Sequence, residues 1–217
     1  MRNKTLISSM VAAAVAVAGS ASAGIAGMTF DSFTAVQSET NTPSDGINAI
    51  NWATPASSQP IFGESGTRIA YAYNNGSGTS TSSVGGGTAT FTTTGSGGQI
   101  AGLYYSGDSQ DLTGYTFSFY LNSNVATDGQ LGFFFDLESV GGYYSPNVLN
   151  YTVAGVYTVD LSTLNGVDLT AITSIAIGIY TSTPGSATVS NFTYTPAPGA
   201  LALLGVAGLA GARRRRA

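Results

Sequence analysis

Through the middle of the chain the apolar side chains recur at every second position, and that period decides what the chain folds into. Tyr115, Phe117, Phe119 and Leu121 alternate with Thr116, Ser118, Tyr120 and Asn122, and Ile175, Ile177 and Ile179 alternate with Ala176, Gly178 and Tyr180. Successive side chains of an extended strand point to opposite faces, so this spacing builds strands, whereas a helix needs a period near 3.6. Similar β-rich stretches occupy residues 28–34, 47–53, 67–74, 87–94, 98–105, 129–138, 153–160 and 186–194, separated by clusters of Gly, Asn, Ser and Asp. No stretch between the two terminal segments has helical periodicity, and LSTLNGVDL at 161–169 has room for a short helical turn at most. About ten short strands punctuated by turns predict an all-β chain, folded as an antiparallel two-sheet sandwich of jelly-roll type over residues 24–195.

Two stretches depart from simple alternation. In SATVSNFTYT, Ala187 and Val189 share one register and Phe192 and Tyr194 the other, so the strand must carry a bulge or turn Asn191 inward toward a partner. The segment NNGSGTSTSSVGGG, residues 74–87, is almost free of bulky side chains and reads as a flexible loop between strands, with a domain linker as the alternative.

Composition removes whole classes of chemistry. The 217 residues include no cysteine and no histidine. Thiol and imidazole nucleophiles, the Ser-His-Asp triad, His-ligated zinc and structural disulfides are therefore excluded. Arg68 is the one cation between residues 24 and 196, against eleven carboxylates, which leaves that region at −10. A surface so poor in cations repels phosphate backbones, which argues against nucleic acid as a partner.

The two ends follow different rules from the middle. At the N-terminus Arg2 and Lys4 precede the apolar stretch Leu6 to Gly19, and Ala21-Ser22-Ala23 supplies the small residues of a signal-peptidase site. Export with cleavage after Ala23 is the expectation, so residues 1–23 form a signal peptide. At the C-terminus Ala200 to Ala212 are uncharged and Arg213, Arg214, Arg215 and Arg216 follow. As a helix this run extends about 20 Å, short of a hydrocarbon core of about 30 Å, which makes it a marginal transmembrane anchor. The arginines act as its stop on the cytoplasmic side of the inner membrane and leave residues 24–195 outside.

A Pro-x-Pro start, a Leu/Ala/Gly-rich stretch and a terminal arginine cluster together resemble the PEP-CTERM sorting signal of bacterial surface proteins. The match covers about the last twenty residues. The family's Pro-Glu-Pro is here Pro196-Ala197-Pro198, followed by Gly199. That resemblance implies a sorting segment over 196–217, transient anchorage in the membrane, an exosortase-like processing enzyme as partner, and release to the cell surface or exopolysaccharide matrix.

Candidate chemistry in the middle is sparse. The segment VYTVDLSTLNGVDLTAITSIAIGI with SATVSNFTYT resembles the closing half of carbohydrate-binding-module-like sandwiches. In FFFDLE, Phe133, Phe135 and Leu137 face one way while Asp136 and Glu138 emerge together on the other face. Paired carboxylates in a sandwich cleft are what glycosidases use. The stretch partly resembles the Glu-x-Asp-x-x-Glu pattern of one β-sandwich glycosidase family, with Phe134 and Gly141 at the places of the outer glutamates. Solvated strand carboxylates, or calcium ligands, are the simpler reading. Asp108 and Asp111 in SGDSQD, with Asp128, Asn122 and Asn124, offer oxygen ligands of the kind calcium takes, and equally the side chains that form turns. No other cofactor is implied, and no catalytic residue is assigned.

All twelve tyrosines and the single tryptophan, Trp52, also lie in the middle. Tyr104–Tyr105 and Tyr143–Tyr144 each send one ring outward if they lie on strands, and outward rings beside acceptors suit sugar stacking. The reading that follows is an exported, non-catalytic bacterial surface or matrix protein. A carbohydrate-binding module for polysaccharide, or a secreted glycoside hydrolase, stands as the alternative.

Overall fold

A computed structural model of the chain describes residues 27–46, 48–56, 60–62, 65–125, 131–144, 153–164 and 166–196. Thirteen strands follow in order: β1 (Met28–Asp31), β2 (Gln37–Asn41), β3 (Ala49–Trp52), β4 (Thr67–Gly76), β5 (Ser80–Gly85), β6 (Thr88–Thr93), β7 (Gly97–Gln110), β8 (Thr116–Ser123), β9 (Gly132–Ser139), β10 (Gly142–Tyr144), β11 (Gly155–Asp160), β12 (Ile172–Thr181) and β13 (Gly185–Thr195). One sheet runs β11-β8-β13-β6-β5-β2, with β1 added on β13; the other runs β10-β9-β12-β7-β4-β3. All the strand pairs are antiparallel. The chain crosses between sheets from β7 to β8 to β9 and again from β11 to β12 to β13, which makes the expected jelly-roll sandwich.

Alternation sorts the side chains as period two requires. Phe117, Phe119 and Leu121 of β8 face Phe133, Phe135 and Leu137 of β9 and Ile175, Ile177 and Ile179 of β12, all buried between the sheets. Phe30 and Phe192 bind the layers at their centre: their rings lie 4.5 Å apart, and Phe30 meets Phe117 edge-on at 5.3 Å. Edge-to-face contacts of this kind add about 0.5–1.5 kcal/mol each beyond area burial. In LSTLNGVDL the short turn appears as two three-residue 3-10 turns, Leu161–Thr163 and Leu169–Ala171, with Asp160 and Asp168 accepting from the Ser162 and Thr170 amides.

The one described cation lies inside. Arg68 is 1 % exposed, and its Nη1 donates to both carboxylate oxygens of Asp31, at 2.8 and 3.1 Å. Tyr105 donates its hydroxyl to the same carboxylate at 3.0 Å, and the Phe33 amide donates to it at 2.7 Å. Arg68 Nη2 donates to the Ala35 carbonyl, while Gln37 accepts from the Ala70 amide and donates to the Arg68 and Thr54 carbonyls. This network ties β1 and β2 of one sheet to β4 and β7 of the other.

Several expectations need correction. Residues 74–87 are neither a loop nor a linker: they contain the end of β4 and all of β5. Ser80 and Ser82 point inward, fully buried, and donate to the Tyr73 and Tyr71 carbonyls at 2.8 and 2.6 Å. Opposite them Ala70 and Ala72 are equally small, so the sheets close tightly at this corner, which a bulky strand could not do. The polar strand β2 lay outside the predicted stretches. SGDSQD is not a turn, since β7 runs through to Gln110; only Asp111 turns the chain, accepting from the Thr113 amide at 2.9 Å. Asn191 resolves the slip in β13 as a bulge: it is exposed, at φ 52°, where the register shifts between Ser190 and Thr193.

Strand β1 runs beside β13 with Met28 opposite Tyr194, so Gly27 and Pro196 lie together at one pole. Among the described residues no helix is long and apolar enough to cross a membrane. The expected signal segment with Ala21 and Ala23, and the expected sorting segment from Ala197, Pro198 and Gly199 to Arg213–Arg216, lie outside the described residues.

Candidate functional site

Strand β4 inverts the usual pattern, presenting small Ala70 and Ala72 to the core and bulky Ile69, Tyr71 and Tyr73 to the outside. Burying large apolar side chains is favourable, so aromatic rings turned outward are the informative exception. They fall on the outer face of the sheet that contains β10-β9-β12-β7-β4-β3. Strand pairing there aligns Trp52, Tyr71, Gly102, Gly178 and Phe134 in one row across five strands. The next outward row holds Tyr104, Ala176 and Asp136, and beyond it come Ser174, Glu138 and Tyr143.

Two glycines shape the face. A Cβ on Gly102 would lie 2.8 Å from the Tyr71 ring and hydroxyl, and one on Gly178 would lie 2.7 Å from the Phe134 ring and 2.3 Å from the Ala101 carbonyl. All three distances are shorter than any ordinary contact, so the absent side chains are what let these rings lie flat across neighbouring strands. Trp52 stacks on Tyr71, with centroids 5.1 Å apart at 29°, and meets Tyr104 edge-on at 5.9 Å.

A cavity of about 160 Å³ opens between these rings and β9, lined by Ile50, Trp52, Tyr71, Tyr104, Asp136, Glu138 and Tyr143, with Ser174 and Ala176 beneath. Cavities near 150 Å³ hold a single six-membered ring. From β3 to β9 the groove crosses four strand spacings, about 19 Å at roughly 4.8 Å each. Trp52 is half exposed and Tyr143 60 % exposed, so both rings are open to a ligand.

The carboxylates are held by neutral donors. Tyr143 donates to Asp136 Oδ2 at 2.8 Å, while Ser174 and Tyr104 donate to Glu138 Oε2 at 3.0 and 3.3 Å. Burial raises the Tyr104 phenol above its ordinary range; the Ser174 contact opposes this and the nearby Glu138 charge adds to it. Burial raises Tyr71 further, with the Asp136 charge adding. Both phenols therefore remain neutral donors at any physiological pH.

Thus Asp136 and Glu138 emerge together as expected, and they join Trp52, Tyr104 and Tyr143 of the aromatic candidates. Tyr105 instead faces the core network, fully buried. The oxygen ligands do not come together: Asp111 precedes β8, whereas Asn122 and Asn124 stand at its far end, about 20 Å along at roughly 3.3 Å per residue. Asn124 accepts from the Ser186 amide at 2.6 Å, and Asp128 lies outside the described residues. Among the described residues no group of three acidic side chains is placed to hold a metal. Sequence reasoning missed Tyr71, Ser174 and the glycine pair. The Ala-Tyr-Ala-Tyr alternation of β4 was the available signal.

No family model matches the chain, and no curated protein matches it. Several solved structures do. The family 11 carbohydrate-binding module of the cellulosomal cellulase Lic26A-Cel5E of Clostridium thermocellum matches at 15 % identity, over 81 % of this chain and 97 % of that one, with a TM-score of 0.40. A family 29 carbohydrate-binding module matches at 12 % identity over 70 % and 92 %, TM-score 0.40. A family 29 module complexed with mannohexaose matches at 12 % identity over 70 % and 96 %, TM-score 0.41. Each is a likeness of backbone at a TM-score below 0.5, and the groove described above is read from this chain's own side chains.

Proposed function

We propose that the chain is an exported, non-catalytic polysaccharide-binding module of the bacterial surface or matrix, with the groove across β3, β4, β7, β12 and β9 as its binding face. One observation carries the reading: Trp52, Tyr71, Tyr104 and Tyr143 line a groove one ring deep whose far wall is a pair of hydrogen-bonding carboxylates. Rings supply stacking area for the apolar face of a sugar, and the acceptors on β9 fix its hydroxyls. The two termini argued from sequence supply the address. Gly27 and Pro196, the first and last described residues, lie together at one pole, which suits a tether at that pole and a binding face on the side of the sandwich.

The test is affinity electrophoresis and calorimetry of the full chain on neutral, cationic and anionic polysaccharides. At least one class retards the protein, and Trp52→Ala weakens that binding by about tenfold while the fold is kept, the loss expected for one well-packed ring. Absence of binding to every class refutes the reading. Release of reducing ends, abolished by Asp136→Asn or Glu138→Gln, would replace a binding module with a hydrolase.

A further inference from the structure

We propose that the groove is a seat for one terminal pyranose, closed along the strands, so that the chain recognises the end or branch tip of a glycan and not its interior. This rests on the polysaccharide reading above and concerns which part of the polymer the site takes.

The seat is built on β12. Ser174, Ala176 and Gly178 occupy its alternate outward positions, between β7 on one side and β9 on the other. Small side chains at every second position leave a trough along a strand, wide enough for a polymer to lie in. Here rings from the flanking strands bar the trough at both ends. At the Gly178 end the Tyr71 ring reaches from β4 over Gly102 and the Phe134 ring reaches from β9 over Gly178, at 2.8 and 2.7 Å from where the two Cβ atoms would stand. At the Ser174 end Tyr104 reaches from β7 across β12 to Glu138 on β9, its hydroxyl 3.3 Å from Oε2, and Ser174 beneath is only 3 % exposed. What stays open is the space above Ala176, about 7 Å along the strand from each neighbour at roughly 3.3 Å per residue.

The flanks are walled as well. Trp52 rests against both Tyr71 and Tyr104, and Tyr143 of β10 reaches back to Asp136 of β9. The cavity follows these bars: it touches Ser174 and Ala176 on β12 but stops short of Gly178, and touches Asp136 and Glu138 on β9 but stops short of Phe134. Its volume of about 160 Å³ is that of a single six-membered ring. A terminal sugar enters such a seat from solvent and keeps its one glycosidic neighbour outside. An internal sugar carries a neighbour on each side, and with both ends of the trough barred neither has a place on the face.

A glycan array and calorimetry of the full chain test this. On an array whose members share terminal sugars but differ in the sugars behind them, the bound glycans group by terminus. In calorimetry with oligomers of glucose, mannose, galactose and N-acetylglucosamine from dimer to hexamer, the series that binds changes in affinity by less than about threefold with length, far below the gain that further occupied subsites bring. Stoichiometry stays at about one protein per oligomer at every length, as a single seat per chain end requires. Ala176→Leu places a bulky side chain in the seat from an outward position and weakens binding at least about thirtyfold at every length, whereas a face that reads the chain interior loses one subsite's share, about tenfold or less. Circular dichroism checks that this variant is folded; if it is not, the length series decides alone. Affinity that rises about tenfold or more from dimer to hexamer, or array binding that follows the internal repeat whatever the terminal sugar, overturns the terminal seat and leaves a polysaccharide-binding module standing. Failure on the array and with every oligomer, together with the polysaccharide panel, overturns the parent reading as well.

Discussion

Replacing Arg68 by methionine removes the guanidinium and keeps most of the apolar stem. What remains is a carboxylate, Asp31, that is 5 % exposed and accepts from the Phe33 amide and the Tyr105 hydroxyl alone. Breaking a buried pair by deleting one partner costs about 3–5 kcal/mol, because the surviving charge is neither solvated nor matched. Against a domain stability of roughly 5–15 kcal/mol that is a large fraction. Roughly 170 residues at about 2.1 cal/mol/K each give an unfolding entropy near 0.36 kcal/mol/K, so a loss of about 4 kcal/mol lowers Tm by about 11 °C. Differential scanning calorimetry reads the shift, and urea melts read it as a lower midpoint at unchanged slope. Adding Asp31→Asn to Arg68→Met recovers about half of the loss, since the asparagine oxygen still accepts from the Phe33 amide, its amide nitrogen donates to the Tyr105 oxygen in place of the lost acceptor, and no charge is left buried. A single variant within about 3 °C of the parent, or a double variant no better than the single, refutes the claim that this pair is both buried and matched.

Three other perturbations address the face and its support. Gly102→Ala drives a methyl into the Tyr71 ring and costs about 1–3 kcal/mol; the displaced stack shifts Trp52 fluorescence and lowers glycan affinity, whereas an unchanged emission spectrum would show that the ring does not rest there. Ser82→Ala removes the hydroxyl that donates to the Tyr71 carbonyl at 2.6 Å and lowers stability by about 1–2 kcal/mol in urea melts, a loss that a flexible loop at 74–87 would not show. Burial raises the phenols of Tyr71, Tyr104, Tyr105 and Tyr194. The unfolded chain therefore gives up these protons first, at about pH 10, so stability from this source is full below that pH and lost as pH rises through the higher folded-state values. Absorbance titration should find four tyrosines ionising late, together with alkaline unfolding.

Local alternation carries the strands but leaves open which face of each strand is inside. For FFFDLE the choice was legible because Asp136 and Glu138 can only face water, which sends Phe133, Phe135 and Leu137 to the core. Phe134, on the outer face with the carboxylates, is buried all the same because Gly178 leaves space beneath its ring, a fact held in another strand. For RIAYAY the choice ran against size: alanine faces in and tyrosine out, since the opposing corner is built from Ser80 and Ser82, and those serines themselves read as a loop because a buried hydroxyl and a solvated one are spelled alike. Arg68 shows the same limit for charge, being countable in the sequence but matched by Asp31, 37 positions away. The groove depends on such long-range facts throughout. Trp52 reaches Asp136 only through the sheet order β3-β4-β7-β12-β9, and no period-two pattern specifies which strands become neighbours. What could be read locally is that outward aromatics and outward carboxylates both existed. That they share one face follows from the pairing of β7 with β4 on one edge and β12 on the other, with Gly102 and Gly178 at the centre of the sheet. A binding face of this kind is thus a property of strand order, and changing either glycine should disturb it sooner than changing any rim residue except Trp52.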